Sequence, residues 1–296
     1  MFLTIITPTY NRAYILNKCY ESLVRQTCKD FEWIVVDDGS TDNTKALVES
    51  FDRDVGFDIV YKKQDNGGKH VAHNTGVVLA RGELTVCLDS DDMLTDDAVE
   101  TIAEFWKKMK NQQYTGVLAK RGDFDTHQPI CGTWPEDLRH ATMSDLNNVH
   151  GFYGDTVLFF RTDILKETPF RVFPGERFLP EMNLYCDIDR CGEMLLLDKV
   201  LYLCEYLPDG LTSKYHKLLR ENPTGTADTY YKLLLMAKTV KTKLKFAVLT
   251  NIYYLLSGRQ ELLTFPKAKF LILATRLPAM LLKSRFLKRV EAGVKA

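Results

Sequence analysis

Much is missing from this 296-residue chain, and each absence excludes something. The seven cysteines are odd in number and form no CxxC pair, so neither a disulfide framework nor a zinc site is expected, and a reducing compartment fits. None of the six histidines belongs to an HExxH. No GxGxxG follows a strand-like run, which disfavours a dinucleotide fold, and no GxSxG marks a serine nucleophile. Gly68-Lys69 is followed by His70, and Lys63 stands where a phosphate-binding P-loop needs glycine. Neither sign of charge dominates. The 39 Lys and Arg balance 39 Asp and Glu, so no overall field draws in nucleic acid. No charge-free apolar run is long enough to cross a bilayer. The opening MFLTIITPTY lacks the basic residues of a secretory leader and reads as a strand.

The balance hides an asymmetry. From Lys241 onward about twelve Lys and Arg face two acidic residues, so the first 240 residues are net acidic. A surplus of carboxylates suits a site that holds a divalent cation.

Apolar runs at Phe2–Thr7, Phe31–Val36, Asp58–Lys62 and Leu84–Leu88 predict four strands. Between them lie helical stretches: Ala13–Val24 with Asn11 as cap, Lys45–Phe51 capped by Thr41 or Asp42, and His70–Ala80 stopped by Gly82. Asp96–Met109 is amphipathic. Such alternation predicts an α/β fold, a mostly parallel sheet flanked by helices. Two further strands are expected at Thr156–Arg161 and Met194–Leu203 in a mixed stretch, and from about Thr226 the chain turns helical and basic. Ligands of parallel sheets bind outside the strand carboxyl ends, and two acidic turns, Asp37-Asp38 and Asp89-Ser90-Asp91-Asp92, fall there.

Those residue types suit one chemistry. Displacing a nucleoside diphosphate puts charge on a pyrophosphate, which a cation held by carboxylates can stabilise. Tyr10 offers a ring for a base, and Asp38 an acceptor for a uracil N–H. A carboxylate that takes a proton from an attacking hydroxyl has two candidates after Pro174, Glu176 and Glu181. Each motif alone also reads as an ordinary cap, turn or solvated loop, and His70 and His73 read as packing residues.

Four motifs in register are more specific. Ile5-Ile6-Thr7-Pro8-Thr9-Tyr10-Asn11-Arg12 is followed by Ile34-Val35-Val36-Asp37-Asp38-Gly39-Ser40-Thr41-Asp42. Asn66-Gly67-Gly68, with Ala72, Asn74 and Gly76, and Leu88-Asp89-Ser90-Asp91-Asp92 complete the set. Over roughly the first hundred residues this order resembles the family 2 glycosyltransferases of bacterial surface-polysaccharide synthesis. The resemblance implies a GT-A fold, a nucleotide-sugar donor, Mn2+ or Mg2+, and inverting transfer to an acceptor hydroxyl. It implies nucleotide-binding roles for Thr7, Pro8, Tyr10, Arg12, Asp38, Lys69 and Asp89. Asp91 and Asp92 would contact the metal and the sugar–ribose region. The family's base lies in a Glu-Asp motif, and the corresponding stretch here is Leu179-Pro180-Glu181, which makes Glu181 the base although Pro-Glu departs from the pattern. Pro208-Asp209-Gly210-Leu211-Thr212 resembles a loop that could close over the donor.

The expected layout is a catalytic domain over 1–215 and a helical basic segment over 216–296. In that segment Phe270-Leu271-Ile272-Leu273 and Met280-Leu281-Leu282 alternate with Lys and Arg. Such a helix either packs on the protein with a solvated basic face or lies on an anionic membrane surface. A saccharide or lipid-linked acceptor and a cytoplasmic location are expected, and the second reading adds a peripheral position on the inner face of the membrane. Two other functions share these features: a sugar-1-phosphate nucleotidyltransferase and a non-catalytic sugar-binding scaffold. The first wants a glycine-rich loop where Pro8-Thr9-Tyr10-Asn11-Arg12 stands, and the complete acidic motifs argue against the second.

Overall fold

The computed structural model describes residues 1–110, 113–152, 154–205, 210, 214–258 and 264–291. The chain forms two compact units. The first comprises Met1–Pro169 with Ile188–Glu205, and the second comprises Phe170–Asp187 with the chain beyond Glu205. This division runs differently from the boundary expected at residue 215, because the stretch around Glu181 packs with the C-terminal helices.

The first unit begins with β1 (Leu3–Thr9), α1 (Leu16–Val24), β2 (Phe31–Asp37), α2 (Thr44–Ser50), β3 (Asp58–Lys63), α3 (Lys69–Leu79) and β4 (Leu84–Cys87). There follow β5 (Met93–Leu94), α4 (Ala98–Met109), β6 (Tyr114–Asp123), β7 (His140–Ala141), α5 (Met143–Asn148), β8 (Thr156–Arg161) and α6 (Thr162–Glu167). After α7 (Met182–Ile188), whose last residue returns to this unit, comes β9 (Glu193–Cys204). The strands make one sheet in the order β3-β2-β1-β4-β8-β6-β9-β5, with β7 paired to β9.

The first four strands are parallel, as the βαβ alternation predicts. Every residue of β1 and β2 is buried, the condition of a parallel strand covered on both faces. Beyond β4 the sheet is mixed: β8 runs antiparallel to both β4 and β6, while β9 is parallel to β6. Ladder register brings Thr9 beside Asp37 and Asp37 beside Lys63. The carboxyl ends of β1, β2 and β4 thus share one edge of the sheet. The core beneath it includes Leu3, Ile5, Trp33, Val35, Leu84, Val86 and Phe159. Helix α3 lies so close to β1 that a Cβ on Gly76 would come within 2.5 Å of Ile6 Cγ2.

One expected cap is not made. Helix α1 starts at Leu16, and Asn11 has a left-handed backbone (φ 53°). Its Oδ1 instead accepts from the backbone N–H groups of Thr41 and Asp42, at 2.8 and 3.3 Å. Asp42 does serve its own helix start, accepting from Thr44 N at 3.0 Å, and its other oxygen accepts from Ala13 N at 3.0 Å. Two residues that read as local caps therefore tie two loops together.

The second unit holds α8 (Tyr215–Glu221), α9 (Pro223–Met236), α10 (Val240–Ser257) and α11 (Lys269–Glu291). Tyr231, Leu234, Ala247 and Ile272 form its apolar core. Buried Lys232 donates to Asn183 and pairs with Asp187, which secures α7 to α9. Of the loop expected at 208–212, Pro208, Asp209, Leu211 and Thr212 lie outside the described residues.

Candidate active site

Four loops meet at the carboxyl ends of β1, β2, β3 and β4. The first, after β1, carries Tyr10 and Arg12; the second, after β2, carries Asp38 and Ser40. Asn11 N donates to Ser40 Oγ at 2.8 Å, so the Asn11 clasp closes from both sides. Asp37 and Asp38 are adjacent but do different things. Asp37 accepts from Ser40 N at 2.7 Å and from the Tyr61 hydroxyl at 2.5 Å, and so shapes the turn.

Asp38 is buried, and its carboxylate braces the Asn66-Gly67-Gly68 turn. Oδ1 accepts from Gly67 N at 2.9 Å and from Gln64 Nε2 at 2.8 Å; Oδ2 accepts from Gly68 N at 2.7 Å. A carboxylate has about four acceptor positions, and these bonds use three of them. Gly68 has φ 93°, a conformation suited to glycine, and the chain turns there into α3.

Lys69 is the first residue of α3, and its Nζ lies 2.7 Å from Asp89 Oδ1. Arg12 Nη1 lies 3.9 Å from Asp91 Oδ2. The acidic turn after β4 is thus faced by two cations from two other loops. Burial, and then the charge of Asp89, raise the Asp91 carboxyl above its usual range. Asp92 is pushed up to about 7, again by burial first and Asp89 second. Carboxylates crowded in this way favour a bound cation.

The three aspartates are not equivalent. Asp92 is turned into the core, where the Tyr202 hydroxyl donates to its Oδ2 at 2.7 Å. That same hydroxyl accepts from Asp89 N at 3.0 Å. Asp92, expected at the metal, is therefore a brace of the turn. Asp91 keeps about a fifth of its side chain exposed. Among the described residues no three His, Cys, Asp or Glu side chains form a ready-made metal cage. A Mg2+ or Mn2+ site completed by diphosphate oxygens needs only one or two protein carboxylates, and Asp89 and Asp91 fit that donor set.

Thr7 also differs from its expected role. Its side chain is wholly buried, and its hydroxyl accepts from Trp33 Nε1 at 2.9 Å, so it supports the loop from beneath. Pro8 is buried too. Tyr10, by contrast, is 49% exposed, a ring open to a stacking partner. His70 is a buried packing residue whose ring burial lowers to a pKa of about 4.

The base candidates belong to the second unit. Both oxygens of Glu176 are occupied at the N-terminus of α9, accepting from Thr224 N and Gly225 N at 2.7 Å each. Asp187 is paired to Lys232. Glu181 is exposed, and Tyr185 one turn on donates to it at 3.2 Å. Sequence reasoning missed Tyr202, which stands 110 residues from Asp92 and carries no local signal.

Residues 4–168 match glycosyl transferase family 2. Glycosyltransferase GlyA of Streptococcus pneumoniae serotype 4 is 38% identical over 215 residues, 68% of this chain and 29% of GlyA. Glycosyltransferase GlyG of the same organism is 34% identical over 214 residues, 68% of this chain and 69% of GlyG. A GalNAc(5)-diNAcBac-PP-undecaprenol beta-1,3-glucosyltransferase of Campylobacter jejuni is 37% identical over 194 residues, covering 62% of this chain and 59% of that protein. The chain thus spans under a third of GlyA and over half of the other two. Among solved structures, S. aureus TarS 1-349 in complex with UDP-GlcNAc superposes with a TM-score of 0.59 at 17% identity, over 99% of this chain and 93% of that one. The mannosyltransferase PcManGT from Pyrobaculum calidifontis, in complex with GDP-Man and Mn2+, gives 0.57 at 17%, over 98% and 86%. These likenesses concern the fold, which is the expected GT-A type. With the family match spanning more than half of its length, the chain is a member of glycosyl transferase family 2.

Proposed function

We propose that the protein is a metal-dependent inverting glycosyltransferase that uses a nucleotide-sugar, a UDP-sugar in the first instance. The observation that supports this most is the meeting of these loops at one sheet edge: the exposed Tyr10 ring, the Asp38-braced glycine turn, and the Asp89–Asp92 turn with Lys69 at 2.7 Å. Tyr10 stacks on the base, and the remaining acceptor position of Asp38 takes a base N–H. Lys69 and Arg12 turn from the acidic turn to the diphosphate. Asp91, with Asp89, would hold Mn2+ or Mg2+, whose charge stabilises the leaving diphosphate. Glu181 accepts the proton of the acceptor hydroxyl as that oxygen attacks the anomeric carbon. The engagement of both Glu176 oxygens at α9 supports Glu181 over Glu176 in this role.

The undecaprenol-linked substrate named for the Campylobacter relative supports a lipid-linked saccharide acceptor, and with it work at the inner face of the membrane in surface-polysaccharide synthesis. The test is a thermal-shift panel of UDP, dTDP and GDP with and without Mn2+. A ligand at a hundred times its Kd stabilises by about 2.7 kcal/mol, a shift of several degrees. UDP with Mn2+ is expected to give the largest shift. Equal shifts with all three, or none, refute the donor assignment. Release of pyrophosphate from a nucleoside triphosphate would indicate a nucleotidyltransferase instead.

A further inference from the structure

Helix α11 has two apolar faces, and only one is used. Ile272, Thr275 and Ala279 are buried. Asn251 of α10 fastens that face, donating to Ile272 O at 2.8 Å and Thr275 Oγ1 at 3.0 Å. On the opposite side Phe270, Leu273, Leu277, Met280 and Leu281 are exposed, Phe270 by 88%. At about 100° per residue these five fall within an arc of roughly 100°. A solvent-facing helix side normally carries charge, so this stripe is the wrong way round for a free surface.

The border of the stripe is basic. Lys269, Arg276 and Lys283 recur every seven residues, which sets them in a row between the exposed and buried faces. From Lys269 to Val290 the helix sequence contains no Asp or Glu. A cavity of about 340 Å3 lies along the same border, with Lys269, Arg276, Leu273, Phe265 and Tyr254 among its lining. Asn251 lines it as well, and its buried Oδ1 has no donor among the described residues. Two cations, apolar walls and an unused acceptor match a phosphate headgroup with a hydroxyl and the first carbons of its chains. No helix among the described residues is long and apolar enough to cross a membrane.

We propose that α11 is an in-plane docking helix for an anionic phospholipid surface. The Phe270–Leu281 stripe enters the acyl boundary, and the Lys269–Arg276–Lys283 row meets the phosphates. The occupant is a lipid surface because the row is of one sign throughout; a second copy of the same face would set like charges against one another.

The full chain is sedimented with phosphatidylcholine vesicles, with and without phosphatidylglycerol. The protein is expected to pellet with the anionic vesicles only, and less as salt rises. Lys269→Gln/Arg276→Gln should weaken binding about 30-fold, roughly fivefold per charge. Leu277→Ser/Leu281→Ser should abolish it at every salt concentration. Both pairs are exposed, so unchanged melting temperature and unchanged UDP binding check that fold and donor site are intact. Failure of the wild type to bind either vesicle overturns the proposal, as does full binding by Leu277→Ser/Leu281→Ser. A dimer that ignores vesicles and dissociates on Leu277→Ser/Leu281→Ser also overturns it and assigns the face to a second copy. UDP binding is read separately, so this proposal and the transferase assignment fail independently.

Discussion

Replacing Tyr202 by Phe removes one oxygen and leaves the ring, on whose face the Arg121 guanidinium lies 4.2 Å from the centroid. That oxygen makes two bonds: it accepts from Asp89 N at 3.0 Å and donates to Asp92 Oδ2 at 2.7 Å. Each buried partner left unsatisfied costs about 1–3 kcal/mol, and more where the partner is charged. A combined loss of about 2–4 kcal/mol is expected near neutral pH and above. The pH dependence sharpens the test. Asp92 titrates at about 7 in the fold, above the ordinary carboxyl value, because burial and Asp89 disfavour its charge. Between the unfolded and folded pKa the native state holds the extra proton, so the stability due to Asp92 is complete at low pH and falls as pH rises toward 7. The Tyr202 hydroxyl opposes this by favouring the ionised form. Without it, Asp92 titrates higher still, and the deficit of the variant grows from pH 5 to pH 8. Urea denaturation at both values measures it. A deficit under about 0.5 kcal/mol at pH 8, or one equal at the two pH values, refutes the brace.

Other perturbations separate the remaining roles. Asp91→Asn should leave the melting temperature unchanged and abolish Mn2+-dependent transfer; near-normal turnover with Mn2+ removes Asp91 from the metal. Glu181→Gln should lower kcat by about 10²–10⁴-fold with UDP affinity retained, and an unchanged kcat dismisses it as base. Glu176→Ala should instead destabilise the second unit by about 1–2 kcal/mol, seen as a lower midpoint in urea, because it leaves the start of α9 uncapped. Tyr10→Ala should weaken UDP binding by about 1–3 kcal/mol, with single-strand base stacking as the nearest analogue; wild-type affinity by calorimetry takes the ring out of the base pocket. Gly76→Ala should cost about 1–3 kcal/mol, since the added methyl meets Ile6 and either α3 or β1 must move.

The first half of the fold is legible because its signals are local. Parallel strands buried on both faces appear as largely apolar runs, and Leu3–Thr9, Phe31–Asp37 and Leu84–Cys87 are such runs, interrupted by threonines and, in the second, by Glu32 before its terminal Asp37. The central strand Tyr114–Asp123 is not, since Lys120 and Arg121 interrupt it. Both charges are accommodated by distant partners: Lys120 pairs with Asp198 and lies over the Trp134 ring at 5.0 Å, while Arg121 lies over Tyr202. A buried cation is tolerable only when such partners exist, and no window of neighbouring residues reveals them.

The site divides along the same line. Tyr10, Asp38 and Asp91 lie in loops, and Lys69 at the helix start that follows another, and their order along the chain is itself the motif; the parallel register carries that order to one edge. Division of labour within a motif is a different matter. Asp91 and Asp92 are neighbours of one residue type, yet one keeps part of its side chain exposed and the other is held by a tyrosine on β9. Glu176 and Glu181 share a loop, and what separates them is the N-terminus of a helix that begins at Pro223. Two orphan N–H groups at that helix start require an acceptor, and Glu176 supplies both of its oxygens. On the proposed mechanism the choice of base rests on a backbone need some fifty residues away, and moving the role to Glu176 would need two changes together: a new cap for α9 and a carboxylate released from it.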